Sequence, residues 1–161
     1  MEKFQEYRQA ARDKLKIADH MLTMTYPLVK DSKILLTVVE NLFLALTNSM
    51  ASVLYYERTF KRIPPFQNTF ESKLNMFRAR VVPKYKIKKE YVSLLVEIKD
   101  IIIMHKKSPV EFTRKDVFVI ASDSYNLKKI SESQIKEYIS TAKQFIAEME
   151  EIVSKDERIF K

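Results

Sequence analysis

SKILLTVVENLFLALTNSMASVLYYERTF, residues 32 to 60, decides the fold of this 161-residue chain. Its apolar run (Ile34, Leu35, Leu36, Val38, Val39, Leu42, Phe43, Leu44, Ala45, Leu46) is too continuous for a helix with one wetted side. At 100° per residue, Thr37, Glu40, Asn41, Thr47, Asn48 and Ser52 fall within about 140° of one another. The stretch therefore predicts a long central helix, mostly buried, with a narrow polar seam. Asp31 or Ser32 can cap its start, and Ile63-Pro64-Pro65 stops it.

The flanking segments read as partners for that helix. Phe4, Tyr7, Ala11, Leu15, Ala18 and Leu22 recur at steps of three and four, so a first helix is predicted from residue 2 to about 24, ended by Tyr26-Pro27. Asn68-Thr69-Phe70-Glu71 has capping-box spacing and opens a short third helix to about Val82, closed by Pro83. A fourth runs from Lys88 to Lys107, with Tyr91, Leu94, Leu95, Ile98, Ile101, Ile102 and His105 on one side. Ser131-Glu132-Ser133-Gln134 caps a fifth, which carries Ile135, Tyr138, Ile139, Ala142, Phe145, Ile146, Met149 and Ile152. In the connection between the last two, Val110–Thr113 and Val117–Ala121 can pair as a hairpin. The expected fold is all-α: a single domain over 1–161, an up-and-down bundle of four long helices plus one short helix, with a small β-hairpin near residues 110–121.

Composition removes several kinds of chemistry. The chain has no glycine, and phosphate-cradling loops, dinucleotide turns, nucleophile elbows and EF-hand loops use glycine for positive φ or close backbone approach. It has no cysteine and only two histidines, His20 and His105, so no disulfide, thiolate zinc site or cofactor is expected. The amino terminus has no apolar core of a leader, and the sequence offers no evident run of roughly 18 apolar residues. The expectation is a cytoplasmic protein without membrane contact.

The net charge is +8, and residues 58 to 89 hold ten basic side chains against one acidic. Arg58, Lys61, Arg62, Lys73, Arg78, Arg80, Lys84, Lys86, Lys88 and Lys89 alternate there with Tyr55, Tyr56, Phe60, Phe66, Phe70, Phe77 and Tyr85. Cations neutralise phosphates and exposed rings stack on unpaired bases, so the mixture suits single-stranded nucleic acid. The plainer alternative is a solvated basic face. Phe70 and Phe77, seven apart, fit a core face, which leaves Phe60, Phe66 and Tyr85 as the exposed rings. His105 ends an apolar helix face beside Lys106 and Lys107, with Arg114 in the adjoining segment. It can close the core and meet the last carbonyls, or serve as a general acid or base on a phosphodiester held by those cations. Glu40, Asn41 and Asn48 offer a hydrogen-bonded network, a dimer contact or the wall of a small-ligand pocket.

Lys99-Asp100-Ile101-Ile102-Ile103-Met104-His105 resembles the signature of the HEPN superfamily: a basic residue, a polar residue, then a histidine near the end of a late helix. Lysine stands where that family has arginine. The resemblance implies a homodimeric helical bundle that handles RNA. It also implies a metal-independent endoribonuclease site in which His105 moves the proton and Lys99, with Lys106 or Arg114, steadies the phosphate. A lysine is a point charge and not a bidentate clamp, so beside a cleaving enzyme the motif also fits a degenerate member that binds without cutting or that pairs with a partner protein. The expected RNA contacts are Arg58, Lys61, Arg62, Arg78, Arg80, Lys84, Lys106, Lys107 and Arg114. The alternative is a non-catalytic protein–protein interaction module, acting as a dimer or with a partner protein.

Overall fold

A computed structural model describes residues 2–107, 110–114, 117–121 and 127–159, with the side chains of 2–106, 111, 117–121 and 128–155. Helix α1 (Lys3–His20) continues through a π-turn (Met21–Thr25) into α2 (Tyr26–Val29), and α3 spans Lys33–Thr59. Helix α4 (Phe70–Met76) passes through a second π-turn (Phe77–Val81) into α5 (Val82–Tyr85), followed by α6 (Lys89–Lys107). Three strands, β1 (Val110–Arg114), β2 (Val117–Ala121) and β3 (Leu127–Ile130), precede α7 (Glu132–Ile159).

The predicted central helix is α3. Leu35, Val38, Val39, Leu42, Leu46, Met50, Val53 and Leu54 have no exposed surface, and every residue from 49 to 57 is buried. By length and composition α3 is apolar enough to cross a membrane; here α1, α4, α6 and α7 cover it instead. Phe145 of α7 meets Phe77 and Tyr91 at ring-centroid distances of 6.1 and 5.3 Å, joining the carboxyl-terminal helix to the same core.

Neither proline ends its helix where the sequence suggested. In a regular α-helix the Pro27 ring would collide with the carbonyl four residues back. The π-turn opens the ladder before it, and Tyr26 N–H donates to the Met21 carbonyl, five residues back. The same device precedes Pro83, where Val82 N–H donates to the Phe77 carbonyl. The first helical rod therefore runs on to Val29 and the third to Tyr85.

The caps follow the sequence with one change. Asp31 Oδ1 accepts from Lys33 N at 3.0 Å and Ser131 Oγ from Gln134 N at 3.3 Å. At α4 the cap is Thr69, whose Oγ1 accepts from Ser72 N at 3.2 Å, and not an Asn68–Glu71 box. The hairpin forms with Glu111 opposite Ile120, and β3 adds a third antiparallel strand that the sequence reading did not include. Phe118, Ile120 and Ile130 anchor this sheet in the core.

Candidate nucleic-acid interface

One end of the bundle gathers the start of α1, the end of α3, the turn after α5 and the end of α7. At its centre lies Glu57, 1% exposed, four residues after Val53 and seven after Met50 and so on the buried face of α3. Lys84 Nζ donates to Glu57 Oε2 at 2.9 Å, Tyr85 Oη donates to Oε1, and Arg62 Nη1 lies 3.9 Å from Oε1. A carboxylate taken out of water needs such partners, and this clasp pins the α5 turn to the end of α3. Burial first, and the hydrogen bond to Glu57 second, push the Tyr85 phenol far above its ordinary range.

Around the clasp, cations lie over aromatic rings. Arg62 sits 5.0 Å from the centroid of Phe60 and 5.4 Å from that of Tyr56, and Arg58 sits 5.6 Å from that of Phe66. Lys3 lies 4.3 Å from the Tyr55 centroid, and Tyr55 stacks on Tyr7, which Lys73 approaches at 5.5 Å. Phe60 is 40% exposed, while Phe66 and Tyr85 are half-buried and Phe77 fully buried. Arg58 and Lys61 are exposed and have no carboxylate partner among the described residues. At exposed positions each such pair contributes about 0.5–1 kcal/mol and holds the cation against its ring.

The remaining candidates lie elsewhere. Arg78 lines a groove of about 350 Å³ with Glu97, Asp100 and Lys128 on the outer side of α6, and Arg80 is exposed on the preceding π-turn. Lys99 Nζ lies over Phe43 and Phe70, at 5.3 and 5.0 Å. His105 Nδ1 is 2.7 Å from Glu111 Oε1, joining α6 to β1, and Lys106 beside it is exposed. The side chains of Lys107 and Arg114 lie outside the described residues.

Distance separates the two groups. Helix α6 runs antiparallel to α3, since the turn before it reaches Glu57 while Lys99 reaches Phe43. At 1.5 Å per residue, Phe43 is about 22 Å from Arg58, and His105 lies about 9 Å beyond Lys99, so roughly 30 Å divides the imidazole from the basic end. Lys99 and His105, six residues apart, point about 120° away from each other around α6. In the polar seam, Asn41 Nδ2 donates to the Thr37 carbonyl at 3.0 Å and Asn48 Nδ2 to that of Leu44 at 2.7 Å. Both amides thus spend donors on their own helix, and Glu40 is exposed.

Two further carboxylate–phenol pairs tie α7 to α6. Tyr91 Oη donates to Glu148 at 2.9 Å and Tyr138 Oη to Glu97 at 2.7 Å. Burial and then the hydrogen bond raise both phenols, Tyr91 to about 12. A folded-state value above the unfolded one means the contribution is full below pH about 10 and is lost as pH climbs through the folded value. In an ultraviolet absorbance titration, Tyr85, Tyr91 and Tyr138 should release protons only near or above pH 12, together with unfolding. All eight tyrosines titrating as one group around pH 10 would contradict these bonds.

Compared with protein-family models, curated proteins and solved structures, the chain matches none.

Proposed function

We propose that the protein binds single-stranded RNA through the basic, aromatic end formed by Arg58, Lys61, Arg62 and Lys84 around Phe60 and Phe66. The observation that carries this reading is the pair Arg58 and Lys61, exposed and without carboxylate partners among the described residues, beside a ring that is 40% exposed. Phosphates supply the missing counter-charge and unpaired bases a face for the ring.

The HEPN-like reading of Lys99 and His105 as a cleavage pair is weaker support for function. Lys99 is engaged by Phe43 and Phe70, and His105 by Glu111. Binding without cutting suits that arrangement. Were the chain instead a protein-interaction module, Met24, Leu28 and Val29 would serve it, at 57%, 85% and 60% exposure on the α1–α2 rod.

Retention of a labelled oligouridylate separates the readings. Wild type should hold it at low salt and release it steeply as salt rises. Phe60→Ala should weaken binding by about 5- to 150-fold, the equivalent of roughly 1–3 kcal/mol for a lost base stack. Retention that ignores both salt and Phe60 would remove the proposal.

A further inference from the structure

Three lysines hold a left-handed backbone: Lys30 at φ 53°, Lys61 at φ 57° and Lys86 at φ 52°. Each follows a helix end whose last carbonyls are closed by backbone bonds: Lys30 N to Tyr26 O at 2.7 Å, Arg62 N to Glu57 O at 2.9 Å, and Ile87 N to Val82 O at 3.0 Å. Glycine occupies this position without strain and asparagine with little, whereas lysine is strained there. Strain of this kind gathers at functional places but does not by itself identify one, so position and charge must separate the three.

Two of the three share a location. Lys61 precedes Arg62 and Lys86 follows Tyr85, and both neighbours reach Glu57. Lys61 and Lys86 are therefore at the basic end, both exposed and both without a partner among the described residues. Lys86 lines a groove of about 380 Å³ between the α5–α6 turn and α7, where Lys88 and Lys155 stand on the same walls as Glu148 and Glu151. Lys155 Nζ and Lys84 Nζ both approach the Tyr85 ring, at 5.5 and 5.2 Å, so a cation of the clasp and a cation of the groove meet at one ring.

We infer that Lys61 and Lys86 are phosphate-contact residues, the two ends of a row, Lys61, Arg62, Lys84 and Lys86, that receives the phosphodiester backbone of one RNA strand. The strained lysines are kept for that contact at a cost in stability. This rests on the RNA reading above. Lys30 carries the same strain at the far end of the bundle and is the internal control.

The test uses the full chain with Lys61→Gly, Lys86→Gly and Lys30→Gly made separately, and a labelled oligouridylate as probe. All three should melt higher, by about 2–4 °C. At about 0.1 M salt, Lys61→Gly and Lys86→Gly should each bind roughly fivefold more weakly, with a salt slope shallower by about 0.7, whereas Lys30→Gly should bind as wild type. Lys61→Asn, which accepts the same backbone without the charge, should repeat the loss. Unchanged binding by Lys61→Gly and Lys86→Gly, while Phe60→Ala still weakens it, would overturn the inference and leave the RNA reading resting on Arg58 and Phe60. An equal loss from Lys30→Gly would overturn it too, and a wild type with no salt-sensitive retention would overturn both.

Discussion

Replacing Arg62 and Lys84 together by methionine should lower the unfolding free energy by about 3 kcal/mol in urea denaturation. Glu57 is 1% exposed, and once both cations are gone only the Tyr85 hydroxyl faces its carboxylate from the α5 turn. The low end of the usual 3–5 kcal/mol range for a broken buried pair is expected, because Arg62 and Lys84 keep 37% and 45% of their side chains in water. Adding Glu57→Gln to the double variant should recover most of the loss, since a neutral amide needs no counter-charge. The same change in wild type should cost less than the double variant, the two cations turning outward to solvent. A double variant within about 0.5 kcal/mol of wild type, the span of an ordinary surface change, would show that Glu57 does not fasten the α5 turn.

Most of the architecture was legible because burial leaves a periodic trace. The spacing of Phe4 to Leu22, of Tyr91 to Ile102 and of Ile135 to Ile152 located three helices, and each of these named residues except Leu15 and Tyr7 is buried. What the sequence hid was of two kinds. Prolines were read as breaks, although a single π-turn upstream absorbs the ring of Pro27 or Pro83 at no visible cost in periodicity. Strand β3 leaves no trace because Leu127-Lys128-Lys129-Ile130 is four residues long and too brief for alternation to register.

The geometry of the candidate site was legible only in part. Composition pointed to residues 58 to 89, but a count of cations says nothing of which ones have carboxylate partners. Composition does not single out Glu57, although its place at core spacing after Met50 and Val53 marks it as buried and therefore in need of partners. Those partners turned out to be Arg62 and Lys84, which the sequence alone had offered as free RNA contacts. Arg78 went to the flank of α6 beside Glu97 and Asp100, and His105 to the opposite end, because α6 runs antiparallel to α3. Chain proximity within one segment did not become spatial proximity.

The second large effect follows from that division of the charges. Arg58→Glu with Lys61→Glu removes two cations that have no carboxylate partner among the described residues, so folding should lose no more than about 1 kcal/mol, the scale of the Arg58–Phe66 contact given up. Two lost phosphate contacts alone should weaken RNA binding roughly 25-fold at about 0.1 M salt, and the introduced carboxylates add repulsion. His105→Ala with Lys106→Glu changes the other end, about 30 Å away by helix rise, and should leave binding as it was. The decisive measurement is therefore the salt dependence of oligouridylate affinity for wild type and these two double variants, side by side. The basic end is the RNA site if the Arg58/Lys61 variant loses affinity and shows a slope shallower by about 1.4, with the His105/Lys106 variant matching wild type. An unchanged Arg58/Lys61 variant, or a loss confined to the His105/Lys106 variant, would contradict it.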